Sequence, residues 1–198
     1  MDRDESDVRS RKIALRRVVA GRRAEMAEAD RTAAGRSLRD VILALPEAQM
    51  AGTVAAYISI GTEPETRGLV YAFWKRGTYV LLPLLRDDYD LDWASYEGPD
   101  SLAAGPRGLL QPTEPGRGVA AVTSADLVIV PALAVDRGGL RLGRGGGSYD
   151  RALARVGAAV PTVALIYDHE LVDEVPAAPH DQRVGMVGQP QQGITRLR

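Results

Sequence analysis

The stretch DRGGLRLGRGGGSYDR, residues 136–151, sets six glycines among Arg141, Arg144, Ser148, Tyr149 and Asp150. It follows an apolar run and leads into a helical pattern, so the glycines lie where a strand hands over to a helix. Glycine permits positive φ and close approach of the backbone, which lets successive N–H groups converge on one anion. A helix start behind such a loop adds a dipole favourable to phosphate, and the forked donors of Arg141 and Arg144 match phosphate oxygens. Two familiar phosphate motifs are absent. There is no G-x-x-x-x-G-K-[ST], and Ser148 stands where a G-x-G-x-x-G pattern begun at Gly143 requires its last glycine. A plain strand-to-helix turn is the bland alternative; the placement and the arginines favour phosphate binding.

Other residues have two readings each. Asp150 is either an ordinary first-turn acid or one of the carboxylates that a Mg²⁺ ion on nucleotide phosphates requires. Asp181, in PAAPHDQR, is either a turn residue or a second such carboxylate. His169 and His180 are assigned to a helix start and a loop rather than to metal. Lys12 and Arg16 are i,i+4 neighbours on one face of an N-terminal helix. The basic side of that helix is a solvated face, a patch for nucleic acid or an acidic partner, or a surface laid across strand ends that lends Lys12 and Arg16 to phosphates. Glu63 and Glu65 flank Pro64. They are turn acids or carboxylates that hold the amino groups of a polar ring, and spacing does not decide.

The elements that must position these residues are legible from periodicity. Helices are expected at 8–29 (Val8, Leu15, Val18, Val19 and Met26 at helical spacing), 31–45 and 66–76, from about 149, and at 168–174. Strands are expected at 53–60, 78–83, 90–96, from 126 through DLVIVPALAV, at 161–167 and at 183–187. Residues 98–118, with five glycines and four prolines, read as the least structured part. Alternating strands and helices predict one α/β domain over 1–198, with a mostly parallel sheet covered on both faces. In such sheets ligands sit beyond the carboxyl ends of the strands, which singles out the loops 61–66, 136–148 and the segment after Tyr167.

Composition narrows the chemistry. The 198 residues include no cysteine, which excludes thiolate metal sites, iron–sulfur clusters and a Cys nucleophile. A net charge of −1 argues against nucleic acid as a partner of the whole molecule. Only two of the 25 basic residues, Lys12 and Lys75, are lysine, which draws attention to Lys12. The mixed-charge N-terminus lacks a signal-peptide core, and no apolar run approaches the roughly 20 residues of a membrane span. A cytoplasmic monomer with no membrane partner is the expectation.

Four segments in register resemble the 5-formyltetrahydrofolate cyclo-ligase (5,10-methenyltetrahydrofolate synthetase) family. They are K-x-x-L-R at Lys12, Leu15 and Arg16; E-x-E-T at Glu63, Glu65 and Thr66; the loop R-L-G-x-G-x-G with Tyr149 and Asp150; and the closing V-P…D element ending at Asp181. One departure is Ser148, which stands where the family usually has an aromatic before Tyr149. The resemblance implies a three-layer α/β/α fold of the ribose-isomerase and CoA-transferase type. It also implies Mg²⁺- and ATP-dependent closure of 5-formyltetrahydrofolate to 5,10-methenyltetrahydrofolate through a phosphorylated formyl group. Carried over, Lys12, Ile13, Ala14, Leu15 and Arg16 hold ATP together with Arg141, Leu142, Gly143, Arg144, Gly145, Gly146, Gly147, Ser148 and Tyr149. Ile60 and Glu65 contact the folate, with Arg144 to Ser148 between the two substrates; Asp150 and Asp181 serve magnesium; and Lys12, Arg144 and Tyr149 are the catalytic groups. The competing readings are a non-catalytic folate- or nucleotide-binding relative, another ATP-dependent phosphoryl transferase on the same fold, and an RNA-binding module led by the basic helix.

Overall fold

The computed structural model describes residues 3–197. In chain order the elements are α1 (Arg3–Glu25), α2 (Glu28–Leu43), α3 (Pro46–Met50), β1 (Thr53–Ala55), α4 (Arg67–Lys75), β2 (Tyr79–Leu85), β3 (Leu91–Ser95), β4 (Leu102–Ala104), β5 (Leu110–Pro112), β6 (Leu127–Pro131), β7 (Ala134–Asp136), β8 (Arg141–Leu142), α5 (Ser148–Arg155), β9 (Thr162–Leu165), β10 (Leu171–Val172), β11 (Met186–Gln189) and β12 (Gly193–Arg196). Seven strands form the central sheet in the order β12-β11-β9-β6-β1-β2-β3. The five inner strands run parallel, and β12 and β3 close the edges antiparallel. This is the mostly parallel α/β sheet expected from the sequence.

Period-two alternation divides the apolar runs between two cores. Val54, Leu127, Ile129 and Leu165 face Leu38 and Ile42 of α2 and Leu69 and Phe73 of α4. Ala55, Val128, Val130 and Ala164 face Ala152 and Leu153 of α5 and Trp93 of β3. Helices therefore cover both faces. A third, smaller cluster joins Val19 of α1 to Ala134, Leu140, Leu142 and Val175.

Several expected elements are shorter or different. The run 53–60 is laddered only over 53–55; beyond it the chain stays extended but turns toward side-chain partners, with Ser59 N–H donating to Thr66 Oγ1 at 2.9 Å and Thr66 Oγ1–H to the Tyr57 carbonyl at 2.7 Å. The run from 126 breaks after Pro131, which has no N–H for a ladder, and continues as β7 in a separate sheet with β8 and β10. The helix expected at 168–174 is one 3-10 turn, Asp168–Glu170, followed by β10. Residues 98–118 contain the β4–β5 hairpin, and the last residues form β12 against β11. Of the apolar stripe on α1 only Val19 is fully buried, while Val18 is half exposed.

With so little apolar contact, α1 is held at its C-terminal end by charge. Arg23 is 1% exposed; its Nε and Nη2 donate to the two oxygens of the fully buried Glu170 at 2.7 and 2.8 Å, and Nη2 also to the Ala132 carbonyl at 2.7 Å. Glu170 Oε2 further accepts the Tyr167 N–H at 2.9 Å. Removing one partner of such a pair leaves an uncompensated buried charge, so Glu170→Ala is expected to cost about 3–5 kcal/mol. Urea denaturation should show that loss, whereas Asp40→Ala, which removes the exposed Arg39–Asp40 pair, should leave the midpoint unmoved.

Candidate active site

From β1 the chain proceeds outward through β2 to β3; it then returns to the other side of β1 as β6 and moves outward through β9 to β11. The reversal between β1 and β6 is a topological switch point, where connections diverge and leave a crevice beyond the carboxyl ends of the strands. A cleft of about 1740 Å³ occupies that place. Its walls include Tyr57, Ile58 and Ile60 after β1, Pro131, Ala132 and Leu133 after β6, the whole of 141–151, and Lys12, Ile13 and Arg16 of α1.

The glycine loop forms the floor of the basic side. Gly145 (φ 105°) and Gly147 (φ 69°) occupy left-handed backbone, and Gly147 immediately precedes α5. A Cβ on Gly145 would stand 3.6 Å from the Arg16 guanidinium, so Arg16 lies directly against the loop. Arg16 Nε donates to the Gly143 carbonyl at 2.8 Å. Arg141 is 5% exposed and places Nη2 3.0 Å from Asp150 Oδ1. Neither its Nε nor its Nη2 has a well-aligned hydrogen-bond acceptor among the described residues. Burial draws the Arg141 pKa down and Asp150 opposes it. A buried cation with donors to spare, opening on a cleft, is suited to an anion.

Asp150 and Asp181 stand close together, because the Gln182 N–H donates to Asp150 Oδ1 at 3.1 Å. Asp181 Oδ2 accepts from Lys12 Nζ at 2.5 Å and from the Ala178 N–H at 2.7 Å. The other oxygen of each carboxylate accepts no hydrogen bond among the described residues. No group of three or more His, Cys, Asp or Glu converges there into an all-protein metal cage. Two carboxylates beside a glycine loop suited to phosphate do fit a Mg²⁺ ion that keeps several waters and takes its remaining ligands from phosphates.

The opposite wall is apolar and phenolic. Pro83, Leu85, Leu91 and Leu109 line it with Tyr57, Ile58 and Ile60. Glu63 ties this wall to the glycine loop, accepting from Arg144 Nε at 3.0 Å and from the Ile60 N–H at 2.9 Å. Burial first, and Glu63 second, push the Tyr149 phenol up, so it is a neutral O–H donor throughout the physiological range.

Most of the site residues expected from the sequence meet here. Glu65 does not: its carboxylate accepts the N–H groups of Arg67 and Gly68 at the start of α4, and its Cβ packs on Gly35 of α2. Glu63 is the acid on the cleft. On α1, Ala14 and Leu15 also fall outside the lining, since 12, 13 and 16 share one helical face and Leu15 turns to the third core. The periodicity gave no sign of Tyr57, which sits in an apolar run, nor of Tyr89, Arg107 and Arg151, which line the mouth. The ring of Tyr89 lies against Gly146, beside Ser148.

The family model described as 5-formyltetrahydrofolate cyclo-ligase matches residues 8–190. A 5-formyltetrahydrofolate cyclo-ligase of Mycolicibacterium smegmatis is 39% identical over 193 residues, covering 94% of this chain and 97% of the relative. The enzyme of that name from Escherichia coli K12 is 31% identical over 143 residues, 71% of this chain and 79% of the relative. The solved 5,10-methenyltetrahydrofolate synthetase of Aquifex aeolicus superposes with a TM-score of 0.82 at 26% identity, covering 94% of this chain and 93% of that one. That of Mycoplasma pneumoniae, at 17% identity and a TM-score of 0.71, shares the fold. On the extent of the family match and the identity to its members, the chain belongs to the 5-formyltetrahydrofolate cyclo-ligase family.

Proposed function

We propose that the chain closes 5-formyltetrahydrofolate to 5,10-methenyltetrahydrofolate in the switch-point cleft, converting ATP to ADP and phosphate. The observation that carries this reading is the meeting of two unlike walls. Buried Arg141 and the glycine loop, with Lys12, Arg16 and Arg144, suit a polyphosphate; the apolar and phenolic wall across from them suits a flat heteroaromatic ring.

The chemistry explains why both are needed. The formyl group on N5 is an amide, whose carbon is a weak electrophile and whose oxygen is a poor leaving group. Attack of the formyl oxygen on the γ-phosphorus, assisted by the N5 lone pair, forms an O–P bond as the bond to ADP breaks. The resulting iminium phosphate accepts N10 at its carbon. N10 gives up its proton, and the C–O bond breaks to release phosphate and leave the methenyl bridge. This needs positioning and charge stabilisation rather than a covalent nucleophile, in keeping with a chain that has no cysteine.

Each residue then has a task. Arg141, fixed by its burial, and the N–H groups at the start of α5 hold phosphate oxygens. Lys12 and Arg16 approach from α1, and Lys12 exchanges its contact with Asp181 for the nucleotide. Arg144, joined to Glu63, lies between the phosphate and folate walls, where the transferred group must pass. Tyr149 supplies a neutral donor at the same junction, and Ile60 faces the folate. Asp150 and Asp181 would hold a magnesium ion, which when bound draws negative charge from the phosphate oxygens.

The direct test is to mix protein, 5-formyltetrahydrofolate, ATP and Mg²⁺ and follow the near-ultraviolet absorbance of the methenyl product. Product that disappears on omitting ATP or adding EDTA is expected; product formed without ATP, or none with both present, overturns the reading. Arg144→Ala and Lys12→Ala should each lower kcat/KM by about 10²-fold, the scale of losing one charge-stabilising donor, with unchanged far-ultraviolet circular dichroism. Asp150→Ala should raise the Mg²⁺ concentration needed for half-maximal rate, and an unaltered Mg²⁺ requirement would remove Asp150 from the site.

A further inference from the structure

Tyr57 is 3% exposed, and its hydroxyl is buried without a hydrogen-bond partner among the described residues. An unsatisfied buried hydroxyl is costly and calls for an explanation. Its surroundings supply one. The residue lines the cleft together with Glu63 and Tyr149, both near enough to act on its phenol. Tyr167, a neighbouring phenol, donates its own O–H to the Thr62 carbonyl at 3.2 Å. Tyr57 is thus a phenol in this group whose hydroxyl the fold leaves unpaired. Burial, reinforced by the charge of Glu63, keeps it protonated, so it can offer a hydrogen to whatever enters.

The identity of the acceptor follows from position. Phosphate oxygens are drawn to Arg141, Lys12 and the glycine loop, while the carboxylate of Glu63 beside Tyr57 disfavours a second anion. Ile58 and Ile60 follow Tyr57 in sequence and join it in the wall, giving a flat ring an apolar seat. An uncharged carbonyl on such a ring is the acceptor that suits a neutral donor there. We infer that Tyr57 contacts the ring-bearing substrate directly, donating a hydrogen bond to one of its carbonyl oxygens and so fixing its orientation against the phosphate loop. This rests on the function proposed above.

Tyr57→Phe removes the hydroxyl alone and tests it. The ligand-free variant should unfold at the same or a higher temperature than the wild type, because an orphaned polar group has gone. Its kcat/KM for 5-formyltetrahydrofolate should fall at least tenfold, its affinity for that folate by calorimetry should fall in step, and its KM for ATP should not move. Unchanged folate affinity and kcat/KM would overturn the inference. So would a loss of ligand-free stability with intact kinetics, which would make the hydroxyl structural, or a change confined to the KM for ATP, which would turn it toward the nucleotide. If the wild type binds the folate without forming product, the proposed activity fails while the two affinities still decide the role of Tyr57. If it does not bind the folate, both fail.

Discussion

The buried pair of Arg23 and Glu170 decides where α1 lies, and much of the site depends on it. The helix has a single fully buried apolar side chain, Val19, and several exposed ones, so burial of apolar area cannot hold it. The bidentate pair anchors its C-terminal end to the turn after β9, and Arg23 also stacks over Tyr167, 5.4 Å from the ring centroid. Two turns and three turns back along the helix, Arg16 and Lys12 come over the glycine loop and Asp181. A charge–charge contact at one end of a helix is thereby converted into placement of two cations at the other. A pair with this geometry favours one position over others, whatever its net contribution to stability.

Among the cations that line the cleft, Lys12, Arg16, Arg141 and Arg144 repel one another and need an offset. Each finds one within the chain: Asp181 for Lys12, the Gly143 carbonyl for Arg16, Asp150 for Arg141 and Glu63 for Arg144. These partners are carboxylates or a carbonyl on the same cleft, so the polyphosphate proposed above would compete for the cations locally and need no distant rearrangement. Of the three carboxylates in that exchange, Asp150 and Asp181 are the pair proposed above to hold a divalent ion. In each of Asp150 and Asp181 one oxygen serves charge compensation within the chain, and the other is left for the proposed metal ion.

Much of this was legible in the sequence because the relevant signals are local. The unbroken apolar run Leu127–Val130 marked a strand buried on both faces, and the glycines before Ser148 marked a tight strand-to-helix turn with a helix start behind it. Other features depend on partners far away in sequence. Nothing near Pro131 says that the strand beyond it will pair with β8 and β10, and nothing near Asp168 says that the next residues will join β7. Glu63 and Glu65 have the same chemistry and nearly the same neighbours. They differ only because Glu65 reaches the N–H groups of α4 and the hollow at Gly35, while Glu63 reaches Arg144 from a loop eighty residues on. Tyr57 was hidden for the opposite reason, since an aromatic in an apolar run reads as core and only an unpaired hydroxyl combined with a place on the cleft distinguishes it.

The central claim is that the cleft brings the γ-phosphoryl group of one substrate to the formyl oxygen of the other. Substrate labelled with ¹⁸O in the formyl group tests it most directly, with the released phosphate examined by mass spectrometry. Phosphoryl transfer to that oxygen predicts one ¹⁸O atom in each phosphate formed alongside the methenyl product. Unlabelled phosphate, with product forming at the same rate, would mean that the formyl oxygen leaves by another route and would contradict the assignment of the two walls to one reaction.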